Sequence, residues 1–364
     1  MSRLSSHSKR PRGILAVVLF LAGGVALLSP LSAQNAKESG ITVTDKGVQA
    51  VFERAKDCVV QIKTIVPVTD PASGKAVGER LSAGTGFFVD NQGHILTTAS
   101  VPGGSKEVVV YWRGKAYTAQ CLGQDDRTNL ALLKIEATTP SLPAADLETI
   151  KPGSTALVVG YPFEGQASLE SGFISANGVQ MPQLFARSEL RSGVPLIRSS
   201  VRVHPGQSGS PLLTAKGEMI GMVIYALDDG SSTFVLPIAA AQKIQRDLAR
   251  YHVPRYGWTG VTVAFNMKDL KNAEREVAVN GVFQGYPGHQ AGLQPGDVLK
   301  KIGEKTILTP SDLMNATFYL TIGETVNYTI ERDGETLTLP VKVIPRPSDE
   351  EMLTLKTVAP STIR

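Results

Sequence analysis

The residues His204-Pro205-Gly206-Gln207-Ser208-Gly209-Ser210-Pro211-Leu212 set a serine among small, turn-forming residues just ahead of an apolar run. A serine hydroxyl is a weak nucleophile near neutral pH. Acyl chemistry at Ser208 therefore requires a base within hydrogen-bond reach, ordinarily a histidine that a carboxylate orients. The chain holds five histidines: His7, His94, His204, His252 and His289. A desolvated lysine also takes a serine's proton, but no Ser-x-x-Lys pattern adjoins Ser208. Gly206 adds a second possibility, because it reaches conformations closed to other residues. The turn it allows would present the amides of Gly206, Gln207 and Ser208 to an oxyanion.

The elements that must hold such a site are short strands. From Val59 to about Pro237, runs such as "CVVQIKTIV", "TGFFV", "HILTTA", "EVVVYW", "ALLKI", "TALVVG", "PLIRSS" and "EMIGMVIYA" alternate with Gly, Asp, Asn and Pro turns. That pattern argues for antiparallel sandwiches or barrels. The region closes with "PIAAAQKIQRDLARY", where Ile238, Ala241, Ile244 and Leu248 fall at helical spacing with charges opposite. Beyond a boundary near "HVPRYG", strand-like and helix-like runs alternate to about Ile344, as in a compact mixed module. Its segment "SDLMNATFYL" reads as a helix capped by Ser311. Past "IPRPSDEE" the chain turns polar and predicts a loose tail over residues 347–364.

With 364 residues, of which 42% are hydrophobic, the chain is long enough for two or three cores. Lys9, Arg10 and Arg12 precede the apolar run Ile14 to Leu28, and Leu31-Ser32-Ala33 ends in a small residue, which predicts an export signal over residues 1–33. A membrane anchor is the alternative, although the run is short against the roughly 20 residues of a spanning helix. Either way the remainder is exported, to a periplasm or outside the cell. Arg3, Lys9, Arg10 and Arg12 account for the whole formal excess of +4, so the rest is neutral on balance. No Lys/Arg stripe points to nucleic acid, and no pattern calls for a cofactor or a metal. Cys58 and Cys121 either form one disulfide or are small buried hydrophobes in strands.

These stretches resemble the HtrA (Deg) family of trypsin-like serine proteases with a C-terminal PDZ domain. The resemblance is carried by "GTGFFVDNQGHILTTASV", "DDRTNLALLKI", "GYPFEG", "SGFISA", "HPGQSGSPL" and "GSSTFVLPI", in the family's order. It implies a mainly β fold, a chymotrypsin-like double β-barrel over residues 48–252 followed by a PDZ domain over 255–346, with the active site between the barrels. It also places Ser208 on the nucleophile, Ser100 where the family has its histidine, and Asn129 where it has its aspartate. Ser100 offers no proton acceptor near neutral pH. In a working triad, the change to asparagine at the acid position alone costs about four orders of magnitude. His94 lies six residues before the base position, roughly 20 Å along an extended run at about 3.3 Å per residue. His204 is the one histidine near Ser208 in sequence, but the family brings its base from the opposite barrel.

In the second module, "RYGWTGV" resembles the carboxylate-binding loop of the family's PDZ domain, and "YPGHQAGLQPGDVLKKIGEKTI" matches a longer and more specific family run. The resemblance implies that amides around Trp258, Thr259 and Gly260 hold a terminal carboxylate. Val261 and Leu313 would line the pocket for the last side chain while the peptide adds as a strand. Alternatively, Trp258 and Val261 are simply core. The expectation is a catalytically inactive polypeptide binder, a scaffold or regulator that forms a homotrimer or associates with active relatives. The other readings are a working endopeptidase with an unorthodox base and a chaperone that holds without cleaving.

Overall fold

A computed structural model describes residues 44–105, 107–163, 165–180, 194–227, 229–269 and 274–358. The expected leader, residues 1–33, lies outside them, as does the expected tail beyond residue 358. Among the described residues no helix is long and apolar enough to cross a membrane.

Helix α1 (Asp45–Lys56), capped by the Thr44 hydroxyl, leads into six strands: β1 (Val59–Thr69), β2 (Ala76–Phe88), β3 (His94–Thr97), β4 (Val108–Trp112), β5 (Lys115–Asp125) and β6 (Leu130–Lys134). They close a barrel in the order β1-β2-β3-β6-β5-β4. A second closed barrel follows, β10-β11-β12-β9-β8-β7, from β7 (Thr155–Gly160), β8 (Ser168–Val179), β9 (Leu196–Ser199), β10 (Pro211–Leu213), β11 (Met219–Ala226) and β12 (Thr233–Pro237). Neighbouring strands are antiparallel throughout, as short turns between strands allow.

Several strands lack polar alternation because both of their faces are covered. Val60, Ile62, Phe88, Ile95 and Leu133 fill the first barrel. Their neighbours Val59, Phe87, Leu96 and Leu132 join Leu157, Leu213, Met222 and Leu236 in a core shared by the two barrels. Period-two alternation thus assigns one face of each strand to a barrel and the other to the seam. Helix α2 (Ile238–Tyr251) lays Ile238, Ala241, Ile244 and Leu248 into that seam, as its spacing predicts. At its end Gly123 meets the His252 carbonyl so closely that a Cβ would lie 2.5 Å from the oxygen. The barrels are pinned as well as packed.

The third unit is a sheet in the order β14-β15-β16-β18-β19, from β14 (Val261–Asp269), β15 (Glu274–Phe283), β16 (Val298–Ile302), β18 (Thr325–Arg332) and β19 (Glu335–Lys342). β17 (Lys305–Thr306) pairs with β16, and β13 (Gly257–Trp258) with β20 (Ile344–Pro345). Helices α3 (Pro287–Gln290) and α4 (Pro310–Phe318) complete it. Two expectations need correction. The cap of α4 is Thr309, in a reciprocal capping box with Asp312, because Pro310 occupies the first helical position; the Ser311 hydroxyl instead donates to the Gly178 carbonyl of the second barrel. The expected loose tail over residues 347–364 contains α5 (Asp349–Thr354), and β21 (Thr357–Val358) pairs with β15, since an unpaired stretch of strand there accepts another.

Both cysteines are free thiols, Cys58 buried and Cys121 exposed. The reading of both as buried hydrophobes therefore holds for Cys58 only. Cys121 is exposed on β5 where the pairing with β6 shifts register between Cys121 and Gly123, an irregularity that interrupts the simple alternation of faces.

Candidate active site in the cleft and candidate peptide groove

Ser208 lies on the turn that leads into β10, and the first barrel holds that turn from across the cleft. The Thr85 amide donates to the Ser208 carbonyl (2.9 Å), and the Thr85 hydroxyl donates to the Gly206 carbonyl (2.9 Å). Thr85 also accepts from the Tyr161 amide (2.9 Å), and Thr97 Oγ1 donates to the Thr85 carbonyl (2.8 Å). Gly209, at φ +86°, passes so close that a Cβ would sit 2.2 Å from the Thr85 carbonyl oxygen. Thr85 escaped the sequence reading, although it stands in the quoted "GTGFF" run, because nothing local shows that β2 faces this turn.

The Ser208 hydroxyl meets another hydroxyl. Its Oγ lies 3.0 Å from Thr98 Oγ1, which accepts in turn from Ser100 Oγ at 3.2 Å. Thr98 is fully buried and stands between Ser208 and the expected base position. Sequence spacing did not reveal it. Asn129 accepts from the Ser100 amide through Oδ1 (3.3 Å) and donates from Nδ2 to the Ile224 carbonyl (3.2 Å), so it ties the first barrel to the second. The structure therefore brings Ser208, Ser100 and Asn129 together through Thr98, in a chain of neutral groups. None of them accepts a proton near pH 7.

His204 faces elsewhere. Its Nε2 lies 3.7 Å from a Glu170 oxygen, and its side chain is half exposed. His94 pairs with Asp90 at 2.6 Å in the hairpin before β3.

The turn at Gly206 has a definite orientation. Gly206 takes φ +95°, and the Pro205 carbonyl accepts from the Phe163 amide at 2.7 Å. Because a trans peptide sets C=O and N–H on opposite sides, the Gly206 N–H points away from Phe163. Among the described residues, neither that N–H nor the Ser208 N–H has a partner. Gln207 does not join them. Its amide donates to the His204 carbonyl (2.9 Å), and its buried side chain accepts from the His204 amide (2.6 Å) and donates to Ser168 Oγ (3.0 Å). Gln207 holds the turn, and Gly206 and Ser208 are the two remaining donors.

The second candidate site is a 260 Å³ cavity between the open edge of β14 and helix α4. Trp258, Thr259, Val261 and Leu313 line it, as expected. Gly260 does not line it; at φ +76° it shapes the loop, and its carbonyl accepts from the Phe283 amide (2.9 Å). The Trp258 ring packs against Phe283 (5.2 Å) and Tyr286 (5.0 Å), so it is partly core. Thr259 anchors the floor, its hydroxyl 2.9 Å from the buried Tyr328 hydroxyl. Burial pushes that phenol up to about 12, and it stays protonated.

Comparison with known proteins agrees with this architecture. Residues 84–222 match the trypsin-like peptidase domain and residues 263–343 match the PDZ domain. A probable periplasmic serine endoprotease, DegP-like, of Hahella chejuensis is 30% identical over 292 residues, 77% of this chain and 61% of the relative. One of the same description from Pseudomonas fulva is 31% identical over 305 residues, 81% of this chain and 62% of the relative. The chain thus spans about three fifths of the length of these curated relatives. Among solved structures, an HtrA-type protease AlgW with tripeptide superposes with a TM-score of 0.68 at 25% identity, covering 83% of this chain and 98% of that one. With two closed barrels, a PDZ domain after them and these relatives, the chain belongs to the HtrA/Deg family of trypsin-like serine proteases with a C-terminal PDZ domain.

Proposed function

We propose that this member of the family binds polypeptides without cleaving them. The observation behind that reading is the pairing of Ser208 Oγ with Thr98 Oγ1, with Ser100 and Asn129 behind it. Ser208 keeps its proton, and a departing amine finds no acid to protonate it. A cradle of two amides alone retains about three to four orders of magnitude over water, which is no useful rate for a peptide bond. Binding falls to the PDZ groove, with its open strand edge and apolar pocket taking a chain end with an apolar last residue. The peptide-bound AlgW structure supports a peptide ligand, and the relatives described as periplasmic support export to that compartment. The role that fits is a scaffold, regulator or holding chaperone, as a homotrimer or beside active relatives.

The unpartnered amides of Gly206 and Ser208 favour a second reading, an active endopeptidase that uses Ser208 with an unorthodox base. Incubating unfolded casein, or a fluorophosphonate probe, with wild type and Ser208→Ala separates the two. No cleavage or labelling above the Ser208→Ala background is expected. Hydrolysis that Ser208→Ala abolishes would overturn the inactive reading, and its loss in His204→Ala as well would name the base.

A further inference from the structure

The PDZ groove is not walled by its own module alone. Arg127, on the turn between β5 and β6 of the first barrel, lines the same cavity as Trp258 and Leu313. That turn is fastened to the segment entering the groove. Asp125, 2% exposed, accepts from the Arg127 amide (3.2 Å), from the Thr128 hydroxyl (2.6 Å) and from the Tyr256 hydroxyl. The Arg127 guanidinium carbon lies 4.2 Å from the centre of the Tyr256 ring. Burial, followed by the Asp125 charge, drives the Tyr256 phenol far above its ordinary value, so it remains the donor.

What the guanidinium lacks is an anion. Its near neighbour Asp125 is already engaged by Tyr256, Thr128 and the backbone, and no described residue forms an ion pair or hydrogen bond with the Arg127 side chain. A guanidinium stacked on a ring keeps its planar fork of donors ordered and available, the geometry that grips a carboxylate with two parallel bonds. The floor beside it is apolar, with Val261, Val263, Leu299 and Leu320. We propose that Arg127, a residue of the first barrel, is a specificity-determining residue of the PDZ groove, receiving a ligand carboxylate whose neighbouring side chain fills the apolar floor. This rests on the reading of the groove as a peptide site. The carboxylate is either the chain end or an acidic side chain next to it. A ligand held this way touches the turn that carries Asn129 two residues further on, so the groove and the cleft share one loop.

The test uses the full chain and three labelled peptides of one apolar-ended sequence: a free acid, a terminal amide, and a terminal amide with glutamate as the penultimate residue. Affinity is read by fluorescence anisotropy for wild type, Arg127→Gln and Arg127→Lys. Arg127→Gln is expected to weaken the peptide bearing the recognised carboxylate about tenfold or more and to leave the neutral amide unchanged, with Arg127→Lys recovering part of the loss. Loss confined to the free acid assigns the chain end; loss confined to the glutamate peptide assigns the side chain. Equal affinities of wild type and Arg127→Gln for all three peptides would overturn the proposal and leave the groove reading standing. An equal loss on the neutral amide would mean that Arg127 merely supports the wall, and would overturn it too. Failure of wild type to bind any of the three removes the groove reading and this proposal with it.

Discussion

The cleft at Ser208 and the groove beside Trp258 are built alike and equipped differently. Each is a loop held rigidly against a packed sheet, with a positive-φ glycine at the bend, Gly206 in one and Gly260 in the other. In the cleft the side chains satisfy one another: three hydroxyls in a row and an amide behind them, without a charge. In the groove an apolar floor lies beside an arginine that no described residue pairs. The contrast teaches that a scaffold and its chemistry are separable. Backbone geometry survives because many contacts over-determine it, whereas proton transfer depends on two or three side chains and ends when they change.

The largest effect should come from placing the family's base and acid in the cleft. Ser100→His with Asn129→Asp is expected to raise fluorophosphonate labelling and casein hydrolysis about a thousandfold or more over wild type, and either change alone far less, because triad members act as a unit. An inert double variant would break the comparison, since the cleft backbone would then have drifted along with its side chains.

Gly209→Ala probes that backbone directly. A Cβ there meets the Thr85 carbonyl at 2.2 Å and Thr97 Oγ1 at 2.7 Å, at φ +86°. Overpacking and strain together should lower unfolding free energy by about 3 kcal/mol, read from the urea midpoint. An unchanged midpoint would mean the cleft loop adapts and is not over-determined.

In the groove, Thr259→Val removes the partner of the Tyr328 hydroxyl, which is 2% exposed. A loss of about 1 to 2 kcal/mol is expected in a thermal melt, the cost of stranding one buried hydroxyl. If stability stays level, that pair does not anchor the floor.

The smallest effect lies in the seam, where burial pushes the Cys58 thiol above its ordinary 9.0 to about 11. The neutral form is the one the fold prefers, so its contribution is complete below pH 9 and is lost as pH rises towards 11. Alkaline melting curves should show a decline over that window that Cys58→Ala lacks. A maleimide should label exposed Cys121 in the native chain and spare Cys58.

Much of the fold was legible because it rests on local chemistry. Alternating apolar runs gave strands, Ile238 to Leu248 gave a helix face, and motif order gave the two barrels and the PDZ domain. The misses share a cause. Reading Ser311 as a cap sets the rule two residues late, because Thr309 is the cap and Pro310 the first helical residue. Gln207 is not an oxyanion donor, and sequence does not show it, because its hydrogen bond to the His204 carbonyl closes only in the folded turn. Thr98, Thr85 and Arg127 carry no local mark of function. Each matters through a partner 76 to 129 residues away in sequence, a separation no short pattern encodes.

By itself the sequence determined which chemical groups this protein owns: a serine at 208, no histidine at 100, no carboxylate at 129, and a stretch from Trp258 to Val261 that resembles the family's carboxylate-binding loop. Residue identity settles what can accept or donate a proton, and no folding alters that inventory. Only the tertiary structure decided which of these groups meet. It set Thr98 rather than Ser100 against Ser208, turned His204 towards Glu170, left Gly206 and Ser208 as the free amides, and carried Arg127 from the first barrel into the wall of the PDZ groove. The physical reason is reach: a hydrogen bond acts over about 3 Å, and only packing the sheets brings residues so distant in the chain within that range.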